Sequence, residues 1–158
     1  MQTKAESCSR LGAGEAPGAA NWITGFKKGK QDSMQIDVQK LEAAITDLKA
    51  ALKDGLLAAD IWDRNTGLSL AGFNTQPAAV ALFTEIVNSL GDTLESSGFP
   101  GLDRYFFMNL QTGKIVLIVM HGTDLLQGVL MDSSKVNLGV LLSVALPKAL
   151  SSVQAARA

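Results

Sequence analysis

Histidine occurs once in this chain, at His121, beside Gly122 at the end of an apolar run. A general base or metal ligand needs partners at workable spacing. No second ligand stands near it, so a turn position is its expected role. Asp60 and Asp63 come closest to a carboxylate pair, but residues three apart on a strand face opposite sides of a sheet and cannot work as acid and base. Cys8 is the single cysteine; it excludes an internal disulfide, and no His or Asp adjoins it to raise its reactivity. Ser133-Ser134 is too generic for a nucleophile. Gly67, Gly72 and Gly113 fall in or near strand turns, not in a phosphate-cradling loop between strand and helix. Phe106–Phe107 is expected in sheet core, because the Arg and Lys of a nucleic-acid stacking surface do not surround it. No catalytic, cofactor-binding or metal-binding residue is assigned, and the chain is not expected to be an enzyme.

The bulk properties narrow the reading further. A chain of 158 residues is long enough for one domain with its own core. With 47% hydrophobic and 18% charged residues it is more apolar than a typical soluble domain, and a subunit interface is the usual place for the surplus. A net charge of −1 and a pI near 5.8 speak against a nucleic-acid partner. Residues 1–33 lack the apolar core of a secretory signal, and the uncharged run Val136 to Pro147 is too short to cross a bilayer. A cytoplasmic protein without membrane insertion is therefore expected, in line with its cysteine usage.

The elements that would position these residues follow from periodicity. Val38, Leu41, Ile45, Leu48 and Leu52 form one helix face over about 36–53, with Gly55 suited to a left-handed cap. Leu56 to Asp63 and Leu68 to Phe73 make a hairpin around Arg64-Asn65-Thr66-Gly67. Thr75 suits an N-cap and Pro77 a first turn for a second helix over about 77–97. Its apolar residues (Ala79, Val80, Leu82, Phe83, Ile86, Val87, Leu90, Leu94) cover an arc of roughly 160°, wider than the ~100° a surface helix needs. Three strands follow, Leu102 to Leu110, Lys114 to Met120 and Leu125 to Met131. The middle one is apolar on both faces, which requires helices on both sides of the sheet. A last helix carries Val140, Leu141, Val144, Leu146 and Leu150. Pro147 is expected to kink or divide it, and the chain is expected to fray beyond Val153.

Residues 1–33, with scattered glycines and no period, read as a disordered arm. Within it Trp22, Ile23 and Phe26 form one apolar knot ahead of Lys27, Lys28 and Lys30. Met34 opens the patterned part and is a candidate native start. The expected division is an arm at 1–33, a domain at 34–154 and a frayed tail at 155–158.

The stretch Gly55-Leu56-Leu57-Ala58-Ala59-Asp60-Ile61-Trp62-Asp63 with Thr66-Gly67-Leu68 resembles the opening hairpin of the Roadblock/dynein light chain family. Leu126-Gln127-Gly128-Val129-Leu130-Met131-Asp132 followed by Asn137-Leu138-Gly139 resembles that family's last strand and the start of its final helix. The order of elements over roughly 36–153 is also similar, as in a bacterial- or archaeal-type member. Pro147 and the glycine-rich arm depart from the pattern. The resemblance implies an α+β sandwich of the Roadblock-like, profilin-like kind. A five-stranded antiparallel sheet would carry the 77–97 helix on one face and the terminal helices on the other.

The resemblance also implies a homodimer formed through the middle helix and the edge strand at 102–110. On this chain the interface would comprise Val80, Phe83, Ile86, Val87, Leu90, Leu94, Arg104, Tyr105, Phe106 and Phe107. Family relatives regulate or anchor small Ras-like GTPases or serve as adaptor subunits. The functional expectation is a non-enzymatic regulatory or scaffold module that binds itself and a small GTPase or adaptor complex. The alternative is a profilin-like domain that senses a small molecule, which requires a concave pocket.

Overall fold

The computed structural model describes residues 35–157. The arm at 1–33, with Cys8 and the Trp22-Ile23-Phe26 knot, lies outside the described residues, as do Met34 and Ala158. The first helix, α1 (Val38–Leu52), starts at Asp37, whose carboxylate accepts from the Lys40 amide. It does not end on a left-handed Gly55. Lys53 takes the positive φ, and Gly55 is buried instead, because a Cβ there would run into Val136 Cγ2. Its missing side chain is used for close approach.

The strands β1 (Leu56–Asp63), β2 (Ser69–Phe73), β3 (Tyr105–Leu110), β4 (Lys114–His121) and β5 (Leu125–Asp132) form one antiparallel sheet in the order β2-β1-β5-β4-β3. The second helix, α2 (Pro77–Ser96), follows β2. Its N-cap is Gln76, not Thr75, and no side chain caps it, whereas Pro77 does occupy the first turn.

Strand β4 is covered on both faces, as its unbroken apolar run requires. Ile115, Leu117 and Val119 join Leu41, Ile45, Leu48, Ile61, Val129 and Met131 in the larger core. Val116 and Ile118 alternate to the other face and meet Trp62, Leu126, Val80 and Val87. The large core lies beneath α1 and the last helix; the small one lies beneath α2.

The last helix, α3 (Leu138–Ala156), runs without a break past Pro147. A π turn at Leu141–Ala145 accommodates the ring: the Leu146 amide reaches back to Leu141 O, so the helix stays continuous where a regular α-turn would be crowded. Asn137 caps its start by accepting from the Gly139 and Val140 amides. By length and composition α3 could cross a membrane, a property the short run Val136 to Pro147 concealed. Here Leu141, Ala145, Leu146, Ala149, Val153 and Ala156 are buried within the fold. Nor does the chain fray at Val153. The Asp37 amide donates to Ala156 O (2.9 Å), and Arg157 donates to His121 O and pairs with Asp124 (2.5 Å).

Candidate interaction surface

Two polar contacts set how α2 sits on the sheet. Trp62 Nε1 donates to the Thr84 hydroxyl (2.8 Å), which donates onward to Val80 O (2.8 Å). Arg64 donates from Nε and Nη2 to Asn88 Oδ1 (2.9 and 2.5 Å). These anchors turn Val80 and Val87 downward, where both are buried. Those two residues belong to the protomer's own core and leave the expected interface set. Phe83, Ile86, Leu90 and Leu94 are half-buried. Leu82, absent from the expected set, is 55% exposed. The arc of apolar residues on α2 is therefore wider than the sheet covers. Its charges are Glu85, Asp92 and Glu95, with no basic residue among Pro77–Ser96.

Edge strand β3 begins at Tyr105, three residues later than periodicity suggests. Phe106 and Met108 pack toward the α2 core. Tyr105 and Phe107 alternate to the other face, where they stay exposed and stack edge to face at 5.8 Å and 78°. The Met120 amide donates to Arg104 O (2.7 Å), which sets the register. The pairs Phe106/Ile118 and Met108/Val116 then exchange bonds inward, and the backbone groups of Tyr105, Phe107 and Asn109 point away from the sheet. Arg104 is exposed beside them. Leu110, 43% exposed, ends the strand near Leu82, since both line one cavity. A hydrophobic residue at the rim of the α2 arc was the available signal for Leu82; nothing local marked Leu110.

The remaining polar groups take structural places. Asp63 Oδ1 accepts from the amides of Asn65 and Thr66 (2.8 Å each) and organises the hairpin turn. His121 is not a turn residue: it ends β4, is buried, and its Nε2 meets Gln127 Oε1 at 2.9 Å. Burial holds its pKa below the ordinary histidine value, with Arg157 acting the same way against the Gln127 hydrogen bond and Asp124. Asp60 lies on the α2 face of β1, apart from Asp63. Ser69 Oγ donates to its Oδ1 (2.5 Å), while Oδ2 has no partner. Among the described residues, no group of three His, Cys, Asp or Glu side chains gathers to hold a metal ion.

No family model matches the sequence, and no curated protein matches it. The likeness is in three dimensions. Myxococcus xanthus MglB superposes with a TM-score of 0.64 at 15% identity, over 75% of this chain and 88% of that one. The gliding protein MglB from Thermus thermophilus gives 0.59 at 14% identity, over 75% and 90%. A Roadblock/LC7 domain from Streptomyces avermitilis gives 0.52 at 15% identity, over 73% and 93%. The chain has the fold of these proteins, an α+β sandwich of Roadblock/LC7 type.

Proposed function

We propose that this protein is a non-enzymatic, homodimeric regulatory or scaffold module of the Roadblock type, built to hold a small Ras-like GTPase or an adaptor complex. The observation that carries the proposal is apolar and hydrogen-bonding capacity left over on a closed protomer: Leu82 and its half-buried neighbours on α2, and the outward backbone of β3. A second copy satisfies both at once. Two β3 strands related by a two-fold axis pair their free N–H and C=O groups and remove an open sheet edge. On the opposite face the two α2 helices then meet antiparallel. That arrangement places Asp92 and Glu95 of one copy toward the uncapped, electropositive start of the other's α2, a favourable placement of charge. A solved MglB has a tetrameric arrangement, which supports self-association in proteins of this shape.

The GTPase partner rests on the family resemblance of the sequence. Size-exclusion chromatography with light scattering tests the dimer, and a strict monomer at high micromolar concentration overturns it. Capture on the immobilised dimer, read by mass spectrometry, tests the partner; recovery of a P-loop GTPase is the expected result.

A further inference from the structure

Two apolar features stay uncovered among the described residues. One is a half-open cavity of about 250 Å³ beneath the first turns of α2. Ala58 and Leu130 line it from the sheet, and Ala79 and Phe83 line it from the helix. Leu82 and Leu110, both substantially exposed, complete its border. An apolar cavity of about 150 Å³ already holds a benzene ring, so this one has room for a benzyl side chain.

The other feature is Phe99, at 65% the most exposed large hydrophobic side chain among the described residues. Its position is fixed all the same. Gly98 takes a φ of +73°, its amide donates to Glu95 O (3.1 Å), and the Phe99 amide donates to Leu94 O (2.9 Å). These bonds form a Schellman closure of α2, which ordinarily lays the residue in the Phe99 place against the one in the Leu94 place. Here the closure holds the ring at the end of α2 while most of it stays in solvent. Pro100 then restricts the chain that follows. A ring held in place before association loses little freedom when it is buried.

The dimer proposed above brings the two features together, and the inference rests on that reading. Two β3 strands paired about Phe107 set Leu110 of one copy opposite Arg104 of the other. Antiparallel α2 helices set the start of one beside the end of the other. Phe99 lies on the loop that joins the end of α2 to Arg104. Both contacts therefore carry it toward the Leu82–Leu110 border of the second copy.

We propose that the two copies interlock, the Phe99 ring of each seating in the cavity beneath the other's α2, against Ala79, Phe83 and Leu130. The cavity is incomplete in one protomer, and the two-fold completes it twice, once with each ring.

The test uses mixed dimers of the full chain, one pool labelled at its methyl groups and the other carrying protonated phenylalanine in a deuterated background. Contacts across the dimer from a phenylalanine ring to the Ala79 and Leu130 methyls are expected by isotope-filtered NMR, and Phe99→Ala should remove them. In sedimentation equilibrium Phe99→Ala should raise the dissociation constant at least tenfold, because two rings are lost per dimer. Ala79→Phe, which fills the cavity from its own helix, should also weaken the dimer. Adding Phe99→Ala to it should then cost little more. A strict monomer at high micromolar concentration overturns the dimer and the interlock together. The interlock alone is overturned by a wild-type dimer without the ring–methyl contacts, by a smaller rise for Phe99→Ala, or by additive losses in the double variant.

Discussion

Replacing Leu82 with alanine separates the protomer's stability from its association. Complete burial of a leucine side chain contributes about 1.5–3 kcal/mol. In the protomer Leu82 is 55% exposed, so about half of that, roughly 1 kcal/mol, remains for a partner to cover. Two-fold symmetry counts the loss twice, giving about 2 kcal/mol per dimer, or roughly a 30-fold rise in dissociation constant. The protomer itself should lose about 1 kcal/mol, a fall in Tm of about 2–4 °C for a chain of this size. Alanine is at least as good a helix former as leucine, so α2 itself is not weakened. Sedimentation equilibrium of wild type and variant gives the two dissociation constants, and thermal unfolding of dilute protein gives the protomer term. A Tm lowered as described beside a dissociation constant within twofold of wild type would refute the assignment of the outer α2 face to self-association.

Two further outcomes follow from the packing. Gly55→Ala should destabilise by about 1–3 kcal/mol through overpacking against Val136, and Val136→Ala in the same chain should recover part of the loss. Additive losses in urea unfolding would show that the two do not share one space. His121 has a folded pKa below its ordinary value of 6.5. Its stabilising effect is therefore full above pH 6.5 and declines as pH falls through that value toward the folded pKa. His121→Gln should flatten the fall of Tm over this acid range, and an unchanged Tm–pH curve would contradict the buried neutral imidazole.

Much of the architecture was legible because it rests on short-range periodicity. The unalternating run Ile115-Val116-Leu117-Ile118-Val119 required two covered faces, and both cores use it. The excess width of the α2 stripe was equally readable. Its rotation was not, because Trp62–Thr84 and Arg64–Asn88 join residues more than twenty positions apart, and they act with the core beneath α2 to turn Val80 and Val87 inward. The same limit explains Gly55, where Val136, distant in sequence but just past the end of the adjacent strand β5, overrode local cap chemistry. It also explains the ordered last turn of α3, fastened by Arg157 to Asp124 and to His121 O. Pro147 exposed a narrower gap: a proline signals a missing bond, but not whether the helix breaks or widens one turn to absorb it. The β3 residues of the proposed interface rest on resemblance, while the burial of Asp60 depended on Ser69 and on the roof supplied by α2.

The two margins of the sheet are unequal. Strand β2 has five residues and an irregular register against β1, and α1 reaches over it to set the Lys49 ammonium 4.0 Å above the Phe73 ring. Among the described residues, nothing lies along the outer margin of strand β3 in the same way. A molecule with a single joinable margin has a valence of one through strand pairing: once two copies meet, no growing end remains. In the proposed dimer, the same asymmetry would leave no edge for a fibre to grow from.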